Sequence, residues 1–132
     1  RNVTPLGGRV HRGDLFTALP PALRGRVDVL LANVPYVPTA EVALLPAEAR
    51  LHEALVALDG GADGLDVLRR VAAEAGRWLA PGGTLLFEIS EAQAPAATRI
   101  AESSGGLVAR VAACEDRHAT VVVATRPRLR RP

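Results

Sequence analysis

Residues 27–36, Val-Asp-Val-Leu-Leu-Ala-Asn-Val-Pro-Tyr, decide the fold. The first six (VDVLLA) form a nearly continuous apolar run bounded by Arg26 and Asn33. A run of that kind fits a strand buried on both faces, as in a parallel sheet. Residues 33–38 (NVPYVP) cannot extend it, because Pro35 and Pro38 break the ladder. The strand therefore ends in a polar, proline-fixed turn. In open α/β sheets ligands sit beyond the carboxyl ends of the strands, so this turn is a candidate site.

Moving outward, Gly8–His11 reads as a short extended piece, followed by Gly13-Asp14 and a small turn through Phe16. Downstream, Thr39 is suited to cap a short helix through Leu45. Residues 59–64 (DGGADG) are a glycine-rich loop. Leu65, Leu68, Val71, Ala72, Ala75 and Leu79 then recur at helical spacing, and Pro81-Gly82-Gly83 is expected to stop that helix. Thr84–Ile89 reads as a second buried strand, and residues 93–104 as a helix ending at Gly105-Gly106. Leu107–Ala113 and Thr120–Thr125 read as two closing strands. The link between them is too short for a crossover, so they should pair antiparallel. The order β, β, α, β, α, β, β is the second half of an open α/β sheet. The leading strand, Gly-rich turn and helix of nucleotide-binding sheets are not among these residues.

Composition narrows the function. The 132 residues suit one domain with a real core. No apolar run is long enough to span a membrane. One cysteine excludes an intramolecular disulfide framework and fits a reducing, cytoplasmic setting. Aromatics are 3%, too few for a base-stacking surface. All 16 basic residues are arginine, four of them in residues 126–132, so the other 125 residues carry twelve against 14 acids. The high pI thus reflects a short basic tail, expected to be disordered, on a slightly acidic body, and no direct nucleic-acid binding is expected. The absence of methionine points to a piece of a longer protein.

Three strand ends are polar: Gly13-Asp14-Leu15, Asn33-Val34-Pro35-Tyr36 and Glu88-Ile89-Ser90-Glu91. The Asp14 carboxylate can accept from an exocyclic amine while the next backbone N–H donates to a ring nitrogen, which reads an adenine edge. Pro35 fixes its own φ and pushes Val34 to an extended conformation. The Asn33 side-chain oxygen and the Val34 carbonyl can then converge on one –NH₂ group. Two such acceptors favour the pyramidal nitrogen, whose lone pair is free to attack, over the flat conjugated one. The Tyr36 ring can stack on the flat group that carries this nitrogen.

These residues resemble the C-terminal half of class I S-adenosylmethionine-dependent methyltransferases. More closely, they resemble the protein-glutamine N5 methyltransferases that act on peptide-chain release factors. The motifs are Gly13-Asp14-Leu15, Asn33-Val34-Pro35-Tyr36, Glu53 with Ala57-Leu58, Gly60-Gly61-Ala62-Asp63-Gly64-Leu65, Pro81-Gly82-Gly83, Glu88-Ile89-Ser90 and Gln93. The resemblance implies the C-terminal portion of a Rossmann-like sheet, mostly parallel, with an antiparallel C-terminal hairpin. Residues 1–125 would be a partial catalytic domain and residues 126–132 the tail. It implies S-adenosylmethionine as cofactor, with Asp14, Leu15 and Asn33 on the cofactor side. Asn33 and the Val34 carbonyl would hold a substrate glutamine amide, with Pro35 fixing the turn and Tyr36 packed against the amide. A bacterial protein substrate such as a release factor is implied. Two positions depart from the family pattern, Val34 and Ala54, where the family has proline, which suggests a divergent subgroup. The family's Gly-rich cofactor loop would be expected before residue 1, so weak or no cofactor binding is expected of these residues alone. A nucleobase or small-molecule amine as acceptor, or a non-catalytic α/β domain, are the alternatives. An exposed strand edge and apolar rim further predict self-association. His11, His52 and His118 lack ligand spacing and read as solvated, with no metal site expected. Cys114 reads as packed inside, and Trp78 and Phe87 as core.

Overall fold

The computed structural model describes residues 4–47 and 54–128. Four strands form one sheet: β1 (Val27–Ala32), β2 (Leu79–Ile89), β3 (Val108–Cys114) and β4 (Ala119–Thr125). Their order is β1-β2-β4-β3. β1 runs parallel to β2, and β4 pairs antiparallel with both β2 and β3. The α/β class and the C-terminal hairpin are as expected. The parallel share is smaller than expected, one pairing of three, because β4 inserts between β2 and β3.

The α-helices include two single turns, α1 (Thr39–Val42) and α2 (Leu55–Leu58), and two longer ones, α3 (Asp66–Trp78) and α4 (Ala94–Gly105). α3 forms where the apolar spacing predicts it. Leu68, Val71, Ala72, Ala75 and Trp78 are all buried, and Leu65 just before it is 1% exposed. Both long helices belong to the core built on one face of the sheet, which carries Leu85, Phe87 and Ile89 of β2 and Val122 and Ala124 of β4. They pack tightly against each other: a Cβ on Gly76 would lie 2.7 Å from the Gly105 carbonyl oxygen. The segment before β1 closes one end of this layer. Phe16 stacks on Trp78 at 5.5 Å between ring centroids, and the Arg24 guanidinium lies 5.3 Å from the same indole.

Several sequence expectations change. β1 is not buried on both faces. It pairs with β2 alone among the described strands. Leu30 and Ala32 pack on the core, while Val29 and Leu31 are 62% and 74% exposed. Gly8–His11 forms no strand, because its backbone finds no neighbour in the sheet. Pro81-Gly82-Gly83 does not stop α3, which ends at Trp78. These residues lie inside β2 as an irregularity: Val27 pairs Leu79, yet Val29 already pairs Thr84. Thr39 does not cap α1. The N-cap position is Pro38, and the Thr39 hydroxyl donates instead to Asp59 Oδ1 at 2.7 Å. Arg126, read as the start of the tail, is tied to β2 by two backbone hydrogen bonds of 2.8 Å, with Gly82 and Gly83. Residues 129–132 of the tail lie outside the described residues, as do His52 and Glu53. Among the described residues, no helix is long and apolar enough to cross a membrane.

Candidate functional site

The Asn33–Tyr36 turn leaves the carboxyl end of β1, so its position follows from the β1–β2 register. Asn33 is exposed, Val34 is buried, and Pro35 and Tyr36 are half-buried. Val34 thus anchors the turn in the core while Asn33 faces outward. Asn33 lines a shallow hollow with Leu31, Leu86 and Glu88. Tyr36 lines a neighbouring hollow with Glu88, Glu91, Glu115 and His118. Glu88, near the end of β2, therefore borders both. Burial raises the Tyr36 phenol above its ordinary pKa, and the Glu88 charge raises it further, so the ring stays neutral at physiological pH.

The chain after the turn is held by the glycine-rich loop. Val37 forms a parallel bridge with Asp59. Gly60 N–H donates to the Val37 carbonyl at 2.8 Å, and Thr39 N–H to the Gly61 carbonyl at 2.9 Å. The Asp59 carboxylate accepts from the Thr39 hydroxyl and also from Gly61 N–H at 2.9 Å. The Thr39 bond, and after it the Gly61 bond, hold its pKa below the usual carboxylate value. Gly64 sits at φ +79°, and a Cβ there would lie 2.2 Å from the Tyr36 carbonyl oxygen. The loop is therefore a fitted cradle for the turn, and not the plain flexible loop that each glycine alone suggests.

Gln93 completes the cradle. In the sequence it stands among the residues of the family resemblance but reads as easily as a first-turn helix residue, with no role assigned. The signal that could have found it is Ser90-x-x-Gln93, the spacing of a capping box. Ser90 N–H and the Ser90 hydroxyl both donate to Gln93 Oε1 at 3.0 Å, and Gln93 Nε2 donates to the Tyr36 carbonyl at 2.7 Å.

Asp14 and Leu15 lie apart, lining neither hollow. Leu15 adopts φ +48°, a left-handed conformation rare outside glycine. The Asp14 carbonyl accepts from Thr17 N–H at 3.1 Å and from the Thr17 hydroxyl at 2.6 Å. The Asp14 carboxylate pairs through Oδ2 with Arg70 of α3. Cys114, expected inside, is exposed: it ends β3 on the edge of the sheet. Among the described residues no group of three His, Cys, Asp or Glu could hold a metal ion.

No protein-family model matches the chain. Sequence relatives are clear. The release factor glutamine methyltransferase of Gloeobacter violaceus is 46% identical over 97 residues, 72% of this chain and 33% of that protein. The ribosomal protein uL3 glutamine methyltransferase of Burkholderia pseudomallei is 47% identical over 91 residues, 64% of this chain and 29% of that protein. The release factor glutamine methyltransferase of Geobacter sulfurreducens is 38% identical over 117 residues, 87% of this chain and 38% of that protein. The chain spans about a third of the length of the curated relatives it matches. A crystal structure from Thermus thermophilus, described as a "Putative DNA Modification Methylase", superposes with a TM-score of 0.47 at 20% identity, covering 93% of this chain and 57% of that one. A likeness of that size carries no functional reading. Over the matched residues, the chain is a sequence relative of the protein-glutamine methyltransferases.

Proposed function

We propose that this chain forms the acceptor side of an S-adenosylmethionine-dependent methyltransferase that methylates a glutamine side-chain amide in a protein. The observation that carries this reading is the Asn33–Tyr36 turn. It is anchored by buried Val34, held by a fitted glycine loop, and presents an exposed Asn33 at the carboxyl rim of the sheet. The relatives at 38–47% identity support it. Residues 1–125 are the catalytic part in this reading, and the protein substrate is of the release-factor or ribosomal-protein kind named in the relatives.

Asn33 Oδ1 and the Val34 carbonyl accept the two N–H bonds of the amide. That pair of acceptors favours the pyramidal nitrogen and lowers the barrier to its attack. Tyr36 packs its neutral ring on the amide plane. The proton leaves once the nitrogen has become cationic, so no base is needed beforehand. The cofactor supplies an electrophilic methyl group when bound. Asp14 and Leu15 suit its adenine by their chemistry: an exposed carboxylate accepts from the exocyclic amine, and the following backbone N–H donates to the ring. The Leu15 backbone at φ +48° is the kind of strain that clusters at ligand sites.

The test incubates the complete protein with methyl-labelled cofactor and a cell extract, then splits the product by protease and nuclease sensitivity. Label in protein, lost when a target glutamine is changed, is expected. Label in nucleic acid refutes the glutamine reading. Asn33→Ala should lower turnover about 100-fold or more while changing stability by less than about 0.5 kcal/mol, since Asn33 is exposed.

A further inference from the structure

Among the described residues Gln93 is the one buried polar side chain, 9% exposed. A carboxamide offers two N–H donors and an oxygen with two lone pairs, and here all four are used. Nε2 donates to the Tyr36 carbonyl at 2.7 Å and to the Asp63 carbonyl at 3.0 Å. Oε1 accepts from Ser90 N–H and the Ser90 hydroxyl, both at 3.0 Å. One side chain thus joins the Asn33–Tyr36 turn, the glycine-rich loop and the carboxyl end of β2. We propose that Gln93 is a positioning residue, whose carboxamide fixes the Asn33–Tyr36 turn through the Tyr36 carbonyl and so sets where Asn33 and the Val34 carbonyl meet the acceptor amide.

The chemistry of the node requires a carboxamide. A carboxylate there turns an acceptor toward two carbonyl oxygens. An apolar side chain leaves the Tyr36 and Asp63 carbonyls and the Ser90 N–H without this partner. An asparagine is one methylene too short to span the same four groups. The surroundings are shaped to match: a Cβ on Gly64 would lie 2.4 Å from Gln93 Nε2. Packing alone does not call for such a group, since an apolar residue fills space without a hydrogen-bonding demand. Because the contact is to backbone, its effect on chemistry passes through the turn and not through substrate.

This inference rests on the methyltransferase reading, and its test separates the two. Tyr36 is the sole tyrosine of these 132 residues, so a ¹³C-tyrosine signal assigned to it by its loss in Tyr36→Phe reports the turn directly, with or without turnover. In the complete protein, Gln93→Glu should lower kcat on the order of 100-fold, the size of effect expected from misplacing reacting groups by about 1 Å. Cofactor Kd should stay within about threefold, and the tyrosine signal should shift. The deficit should shrink as pH falls and the introduced carboxyl protonates, because it can then donate to one of the two carbonyls. Ser90→Ala removes one bond to Oε1 at an exposed residue that tolerates truncation, and should lower kcat about threefold. A folded Gln93→Glu protein with unchanged kcat and tyrosine signal overturns the proposal. So does a loss of kcat matched by an equal loss of cofactor binding and insensitive to pH. If Gln93→Glu does not fold, Ser90→Ala decides, and unchanged kcat there overturns it. If the unmodified protein labels no glutamine while the tyrosine signal still shifts in the variants, the functional reading falls and Gln93 is upheld as the clamp of the turn.

Discussion

Gly64→Ala tests the geometry of the cradle without replacing any residue assigned to chemistry. Gly64 sits at φ +79°, and an L-residue in the left-handed region costs about 1–2 kcal/mol. The new Cβ would also lie 2.2 Å from the Tyr36 carbonyl oxygen and 2.4 Å from Gln93 Nε2. The loop must then move, breaking the 2.7 Å bond between those two groups. A polar group left unpaired in a partly buried setting costs about 1–3 kcal/mol. The expected total is about 2–5 kcal/mol, a large part of a stability of about 5–15 kcal/mol. Gly106→Ala is the internal control. It has φ +61°, and a Cβ added there would meet nothing within 4 Å, so it carries the backbone cost alone. Urea unfolding measures both. With a slope of about 1–3 kcal/mol/M, the Gly64→Ala midpoint should fall by about 1–2 M, and the Gly106→Ala midpoint by about half of that, with slopes unchanged. Equal shifts for the two variants would refute the collision with Tyr36 and Gln93.

Three further outcomes are expected. Asp63 is held at a pKa of about 2 by Arg69 and by the Leu65 N–H, below its unfolded value of about 3.9. Its contribution is therefore present above about pH 4 and lost as pH falls toward 2; Asp63→Asn should destabilise by about 1 kcal/mol or less, since the pair is solvent-screened, and the difference should vanish toward pH 2 in acid titrations followed by circular dichroism. Trp78→Ala removes a 2% exposed indole together with its contacts to Phe16 and Arg24; it should cost about 3–5 kcal/mol, and limited trypsin digestion should then cut at Arg24 or Arg26. The exposed Cys114 thiol, the sole cysteine of these 132 residues, should react with a disulfide reagent in the native state, and a Cys114 that is labelled only after denaturation would contradict its place at the end of β3.

The elements most legible in the sequence are those fixed by local chemistry. The spacing of Leu65, Leu68, Val71, Ala72 and Ala75 marks α3 because helical geometry puts them on one face. The short link after Cys114 dictates an antiparallel hairpin. Asn33-Val34-Pro35-Tyr36 stands out because two prolines end a strand just where α/β sheets place their sites. What depends on neighbours distant in sequence is not legible. A continuous apolar run such as Val27–Ala32 reads as doubly buried, but whether Val29 and Leu31 are covered depends on which layers lie against them. Pro81-Gly82-Gly83 reads as a breaker, yet a strand absorbs it because the irregularity pairs Gly82 and Gly83 with Arg126. Gln93 is ambiguous for the same reason: its partners at Tyr36 and Asp63 are 57 and 30 residues away.

Among the described residues the sheet is covered on one face, and this has a calorimetric consequence. Helices α3 and α4 desolvate the Leu85–Phe87–Ile89 face, while Val29, Leu31 and Val108 remain largely in water in the folded state. The heat-capacity increase on unfolding tracks newly exposed apolar area, and a fully covered domain of this length would give about 1.6–2 kcal/mol/K. Apolar surface already hydrated before unfolding adds nothing to that increment. These 132 residues by themselves should therefore unfold with a smaller increment and a flatter curve of stability against temperature, and any layer that closes over β1 should steepen that curve as well as raise it.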